Sequence, residues 1–338
     1  MTGDARGRRR DARPRPRART GGIDLHAHLA PKFGETKPYG ITDAGGSLVV
    51  DGKRVGPDAL YRPQSLVDHL DQAALDMAIV ALAPPFYRQH LPKEQAVQWV
   101  RAVNDGMLAA VSAHPRLRAL AYLPFEHPDV AILEYERIRS AAEWAGVTAC
   151  VGGASVSQAD DALDPLWSAL DADARLLALH PGRSTDPRLD VFYLHNLLGN
   201  PIETAIGAAQ LVFGGVLAAH PAVRVLLMHC GGAVPAVIGR WQRGAETARP
   251  GVPHGIEAPA RACRRLYVDC LAYDPAVLRL AVEVFGADRI VVGSDWPFPM
   301  HSSDPRDLLA RAGDAAFVER AAIDNAVAAL GDTRGQTS

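Results

Sequence analysis

Lysine is almost missing from this chain: Lys32, Lys37, Lys53 and Lys93 are the whole complement, and none follows position 93. No apolar run approaches the roughly 18 residues that a membrane-spanning helix needs. The four cysteines, Cys150, Cys230, Cys263 and Cys270, form no CxxC pair, which argues against a disulfide framework or a zinc ribbon. They read as reduced thiols of a cytoplasmic protein. No glycine-rich phosphate loop follows an early apolar run, and this disfavours a doubly wound nucleotide-binding sheet.

The charge is unevenly spread. Eight arginines against Asp4 and Asp11 give residues 1–20 a balance of +6, so a net charge of −2 leaves −8 on the remainder. An acidic body excludes nucleic acid as an expected partner. The arginine- and proline-rich stretch 1–21 has almost nothing to bury and reads as a disordered tail, without the apolar segment of a secretory signal. Residues 22–338 read as one domain.

Within that domain a short β-rich run is followed by a longer stretch of helical spacing, again and again. The runs are Gly22–His26, Met77–Leu82, Leu117–Tyr122, Val147–Val151, Arg175–His180, Val223–His229, Arg265–Asp269 and Ile290–Gly293. Between them the spacing predicts helices over Gln64–Leu75, Glu94–Ala113, Val130–Trp144, Leu163–Ala172, Ile202–Ala219, Ala233–Arg243 and Pro275–Phe285. Alternation of this kind across about 300 residues predicts a (β/α)8 TIM barrel. A long insertion, residues 31–63, follows the first strand and reads as a lid or a small hairpin. Residues 181–200, with Phe192, Tyr193 and His195, are a candidate second wall.

Active sites of such barrels lie at the C-terminal strand ends. Asp24, His26 and His28 fall at the end of the first run, His180 ends the fifth, His229 ends the sixth and Asp295 follows the eighth. In a strand, residues i and i+2 face one way, so His26 and His28 can share one ion. With His180 and Asp295 they make three imidazoles and a carboxylate. That set suits one divalent ion with an open position, zinc first, manganese or iron as alternatives. His229 is assigned instead to proton transfer as the catalytic acid/base. Gly231 and Gly232 after it read as backbone that passes close to substrate.

The stretches IDLHAHLAP (23–31), LALHPG (177–182), LLGNPIETAIGAAQLVFGGVLAAHP (197–221), VLLMHCGGAVPAVIGR (225–240) and GSDWPFP (293–299) resemble the amidohydrolase-2 family. The likeness is greatest to its branch around α-amino-β-carboxymuconate-ε-semialdehyde decarboxylase and runs over about residues 22–330. It implies a zinc ion on His26, His28, His180 and Asp295, with His229 as acid/base. It implies a homodimer in which Arg240 reaches the neighbouring subunit's substrate carboxylate, while Phe298 and Tyr193 contact the substrate. A second arginine is implied in the insertion, Arg54 or Arg62. Binuclear relatives carry a lysine at the end of the fourth strand; the scarcity of lysine excludes that arrangement here. The implied activity is non-oxidative decarboxylation of an unsaturated or aromatic carboxylic acid, with hydrolysis or hydration on the same single-ion site as the alternative.

Overall fold

A computed structural model describes residues 21–35 and 37–331. The arginine-rich stretch 1–20 lies outside the described residues. Strand β1 (Ile23–Leu29) leads into a small antiparallel sheet, β2 (Thr42–Ala44), β3 (Ser47–Val50) and β4 (Lys53–Arg54). The remaining strands are β5 (Met77–Leu82), β6 (Leu117–Leu123), β7 (Trp144–Val151), β8 (Leu176–Pro181), β9 (Arg224–Leu227), β10 (Tyr267–Asp269) and β11 (Ile290–Val291). β1 and β5 to β11 form one parallel sheet of eight strands in sequence order. Backbone bonds from Leu25 N to Val292 O (2.9 Å) and from His28 N to Trp296 O (2.8 Å) join the last strand back to the first. The expected (β/α)8 barrel is the fold.

The strands read as near-continuous apolar runs because both of their faces are buried. One face of each, with Val80, Ala121, Val147, Leu179 and Val268, packs outward on the helices. The other face, with Ile79, Leu120, Leu176, Leu226 and Val291, fills the barrel interior. Ala326, Ala329 and Leu330 of the last helix, Asn325–Leu330, join that interior cluster. Asn325 fixes the helix by donating to Ala287 O and Ile290 O.

Several helices start on proline, as at Pro63, Pro128, Pro275 and Pro305, where the missing N–H costs nothing. Asp274 and Asp304 cap the last two with their carboxylates.

Two expected helices need correction. The stretch Val130–Trp144 is a helix only over Pro128–Ile138, and Trp144 already begins β7. The stretch Ile202–Ala219 is broken: helix Asn200–Phe213 stops at Gly214, Gly215 turns the chain at φ 73°, and a short helix Val216–Ala219 follows. Two strands end earlier than expected, β9 at Leu227 and β11 at Val291, and β10 begins only at Tyr267.

The insertion holds the small sheet expected of it. Ile41, Leu48, Val50 and Val55 bury their side chains in the main core. Arg88, nearly buried, clamps the sheet to the barrel. Its guanidinium donates to both carboxylate oxygens of Asp51 and to Tyr39 O, and lies 4.9 Å over the Trp99 ring.

Candidate metal centre at the barrel mouth

The first strand aims its histidines through an irregularity. Ile23 and Leu25 face the barrel interior. Strict alternation would then send His26 outward. The register of β1 against β5 shifts between Asp24 and Ala27, and beyond that shift Ala27 and Leu29 face the helices. His26 and His28 are thereby turned to the mouth, the kind of re-aiming that bulges provide beside active sites. Asp24, fully buried, secures the turn by accepting from His26 N (3.0 Å), Ser294 N (3.1 Å) and the Ser294 hydroxyl (2.5 Å).

His180 near the end of β8, His229 in the turn after β9 and Asp295 after β11 converge on the same point. One donor atom each from His26, His180, His229 and Asp295 lie within 4.8 Å of one another. His28 belongs there too: its Nε2 is 3.1 Å from His26 Nε2 and 3.3 Å from Asp295 Oδ1. Five groups therefore meet, and a set of four ligands with a fifth group beside them can be drawn in more than one way.

Two tautomers are fixed by their partners. His26 Nδ1 donates to Asp269 Oδ2 at 2.7 Å, and His180 Nδ1 donates to Pro181 O at 2.9 Å. Both rings thus turn an Nε2 lone pair to the centre. Burial lowers the pKa of His28, of His180 (well below the usual value) and of His229, which keeps these imidazoles neutral. Burial alone would raise Asp295, but the hydrogen bond with His28 holds it well below the ordinary carboxylate range. Lone pairs and a carboxylate crowded this closely repel one another unless a cation lies between them. The donor set fits a divalent ion.

Asp269 is the residue that the reading of the sequence missed. It ends β10, so the strand-end criterion applied to the seventh run would have found it. Its Oδ2 accepts from His26 Nδ1 and from His229 N (2.9 Å), while Oδ1 accepts from Cys230 N (2.7 Å) and Leu271 N (3.0 Å). One carboxylate thus sets the tautomer of one candidate ligand and the backbone position of another candidate group. Burial would raise its pKa, but the bond from His26 keeps it lowered and ionised. Gly293 makes room: a Cβ there would come within 2.8 Å of both the His26 and Asp269 Cβ atoms.

The turn that carries His229 is left-handed. His229 and Cys230 both have φ 56°, conformations that non-glycine residues adopt at a cost and that cluster at functional sites. Gly231 and Gly232 are required by packing, because a Cβ would meet Phe285 Cζ at 2.6 Å and Pro201 O at 2.3 Å. Cys230 is buried.

Of the expected substrate contacts, Phe298 lies at the centre, its ring 5.3 Å from that of His28. The other three do not join the cluster. Arg54 is held on the small sheet by Ser47 and Asp58. Tyr193 is 59% exposed. Arg240 is exposed on helix Val234–Glu246 and its side chain makes no hydrogen bond or ion pair with another described residue. Arg62 is likewise exposed.

Metal-side groups come from β1 and from β8 to β11. The opposite arc of the mouth presents Tyr87 after β5, Tyr122 in β6, Glu126 just after β6 and Cys150 in β7. Burial pushes the Glu126 carboxyl up to about 7. A carboxyl whose pKa is higher folded than unfolded binds its proton more tightly when folded. Its stabilisation is therefore complete below about pH 4.5 and is lost as pH rises through about 7. Glu126→Gln should remove that loss, so its melting temperature relative to wild type should rise between pH 5 and 8, measured by thermal unfolding. An equal difference at both pH values would show that Glu126 is already ionised in the folded protein.

Comparison with known proteins agrees with this architecture. A curated relative, 2-amino-3-carboxymuconate-6-semialdehyde decarboxylase of Dictyostelium discoideum, is 26% identical over 306 residues, covering 85% of this chain and 84% of that protein. Gamma-resorcylate decarboxylase of Rhodococcus jostii strain RHA1 is 26% identical over 257 residues, covering 68% and 75%. Among solved structures, dihydroxybenzoic acid decarboxylase of Polaromonas sp. JS666, with bound manganese and the inhibitor 2-nitroresorcinol, superposes with a TM-score of 0.73. That likeness covers 92% of this chain and 97% of that one at 21% identity. The amidohydrolase family model matches residues 23–331, and the chain belongs to that family.

Proposed function

We propose that the protein is a metal-dependent, non-oxidative decarboxylase acting on an unsaturated or aromatic carboxylic acid of the carboxymuconate-semialdehyde or salicylate type. The observation that carries this is the convergence of four imidazoles and Asp295 at the barrel mouth, in a chain whose curated relatives are decarboxylases. The ligands in this reading are His26, His28, His180 and Asp295, and zinc is the ion that the donor set favours, with manganese its competitor from the structural neighbour. Such an ion supplies Lewis-acid polarisation of a substrate oxygen.

The rest falls to the chain's own residues. His229, neutral and beside the cluster, takes up a proton from solvent and delivers it to the substrate carbon as its bond to the carboxyl group breaks. The electron pair of that bond stays on the substrate, the proton takes the place of CO2, and the conjugated system spreads the transient charge. Phe298 covers the His28 side and keeps water from competing. Asp269 keeps His26 and the His229 backbone in register. Hydrolysis or hydration would use the same groups, and product analysis separates them. Incubation with a panel of carboxymuconate-like and hydroxybenzoic acids should release CO2 from at least one. Cleavage of amides, lactones or C–C bonds without CO2 release would overturn the reading.

The reading includes a homodimer. Val191, Phe192, Tyr193, Leu197, Leu198, Ile202 and Ile206 are exposed apolar residues of one segment, the most exposed of them Phe192 at 85%, and such patches mark interaction sites. Arg240, exposed and with no side-chain partner among the described residues, is assigned to the substrate carboxylate of the neighbouring subunit, where a guanidinium fork suits a bidentate contact. Tyr193 and Arg54 are assigned to substrate on the same footing. Mixing inactive Arg240→Ala and His229→Asn proteins under conditions of subunit exchange should restore up to about a quarter of wild-type activity, since half of the dimers carry one intact site of two. Demonstrated exchange with no recovery would remove Arg240 from the partner's site. The four buried, unpaired cysteines fit a reducing compartment, and we place the protein in the cytoplasm.

A further inference from the structure

The arc of the mouth opposite the metal-side groups is built at a cost that the fold alone does not repay. Tyr122, on the inward face of β6, has no exposed surface, and Tyr87, just after β5, is 4% exposed. Their rings stack at 5.0 Å and 4°, and the Tyr87 ring stands edge-on to His180 at 6.0 Å. Neither hydroxyl has a hydrogen-bond partner among the described residues, and neither does Glu126 Oε2 beside them. Buried polar groups are nearly always paired, and leaving one unpaired costs on the order of 1–3 kcal/mol. Phenylalanine would fill either tyrosine site without that cost. Three unpaired buried polar atoms on one arc, with the Tyr87 ring 6.0 Å from that of a candidate metal ligand, are groups kept ready for something that arrives.

We propose that Tyr87 and Tyr122, with Glu126, form the second half of the substrate site and take an oxygen substituent carried away from the metal-binding end of a conjugated acid. This rests on the decarboxylase reading and deepens it, because it names what distinguishes the substrate within its class. The preferred acid is planar and carries an additional hydroxyl or oxo group on the side that faces β5 and β6. A planar conjugated body would lie edge-on to the stacked rings. The phenols donate to its oxygen, and Glu126, held protonated in part near neutral pH by burial, can donate or accept. The acid is thereby fixed at two ends, metal on one side and phenols on the other, which places its scissile bond relative to His229.

The test uses the metal-loaded full chain and two probes that differ by one ring hydroxyl, 2,6-dihydroxybenzoate and 2-hydroxybenzoate. Binding is measured by calorimetry for wild type, Tyr87→Phe and Tyr122→Phe, with melting temperature and metal content measured in parallel without ligand. Both variants should keep the metal and melt at or above the wild-type temperature, since each removes an unpaired buried hydroxyl. Tyr87→Phe should weaken the dihydroxy acid about tenfold and the monohydroxy acid by less than about twofold, and Tyr122→Phe should shift the ratio in the same direction. An unchanged ratio in both variants overturns the subsite, as does a clear fall in melting temperature with loss of metal, which would mark the tyrosines as structural. The two readings fail separately. Discrimination that depends on Tyr87 without CO2 release from any acid sinks the decarboxylase and leaves the subsite. CO2 release with an unchanged ratio does the reverse, and wild-type protein that binds neither probe overturns the subsite.

Discussion

Asp269→Asn is expected to weaken metal binding by about 10–100-fold and to destabilise the protein by about 3 kcal/mol or more. The reason lies in what each carboxylate oxygen does. Oδ2 takes the His26 Nδ1 proton and the His229 N–H; Oδ1 takes the Cys230 and Leu271 N–H groups. An asparagine has one acceptor and one donor in those places. Whichever way its amide is turned, an NH2 group faces two N–H donors, and one pair of bonds is lost. If the amide nitrogen faces His26, the imidazole loses the bond that fixes its tautomer and aims Nε2 at the centre. Metal titration followed by thermal unfolding, with and without chelator, measures both effects at once. Chelation should lower the wild-type melting temperature substantially and the variant's little. A variant that binds metal as wild type does would mean that Asp269 serves only the backbone turn.

His229→Asn is expected to lower kcat by roughly 10²–10⁴-fold while the metal stays bound, the cost of a lost proton-transfer group. This experiment decides an ambiguity that the geometry contains. His229 is within 4.8 Å of the donor atoms of His26, His180 and Asp295, as a ligand would be. Its assignment to proton transfer rests on His28 filling the fourth ligand place, where Nε2 lies between His26 and Asp295. Loss of metal in His229→Asn, with retention in His28→Asn, would exchange the two roles.

The barrel was legible because its strands are buried on both faces and so stand out as apolar runs between helical spacings. Helix starts were less legible. Gln64, Val130 and Ile202 were each expected to begin a helix, and each lies one or two residues past a proline or asparagine–proline start. Proline reads as a breaker in a sequence but is a good first residue in a helix. The strand-end histidines could be found because only some of the twelve histidines fall at strand ends and His26 and His28 stand two apart. The bulge that makes that pair face the mouth leaves no trace in the sequence, since only the paired strand reveals a register shift. Asp269 was legible in principle but resembles any aspartate at a strand end; only its four accepted bonds show its work. Tyr87 and Tyr122 look like ordinary core aromatics, and it takes the three-dimensional packing to show that their hydroxyls have no partner.

The most direct test of the account is CO2 release measured against metal bound, in protein stripped of metal and then reloaded stepwise, with Asp295→Ala as control. Activity on a responsive acid should rise in proportion to bound zinc or manganese and reach its plateau close to one equivalent per chain, while the control binds little and stays inactive. A plateau that needs two equivalents, or undiminished CO2 release from the stripped protein, would contradict it.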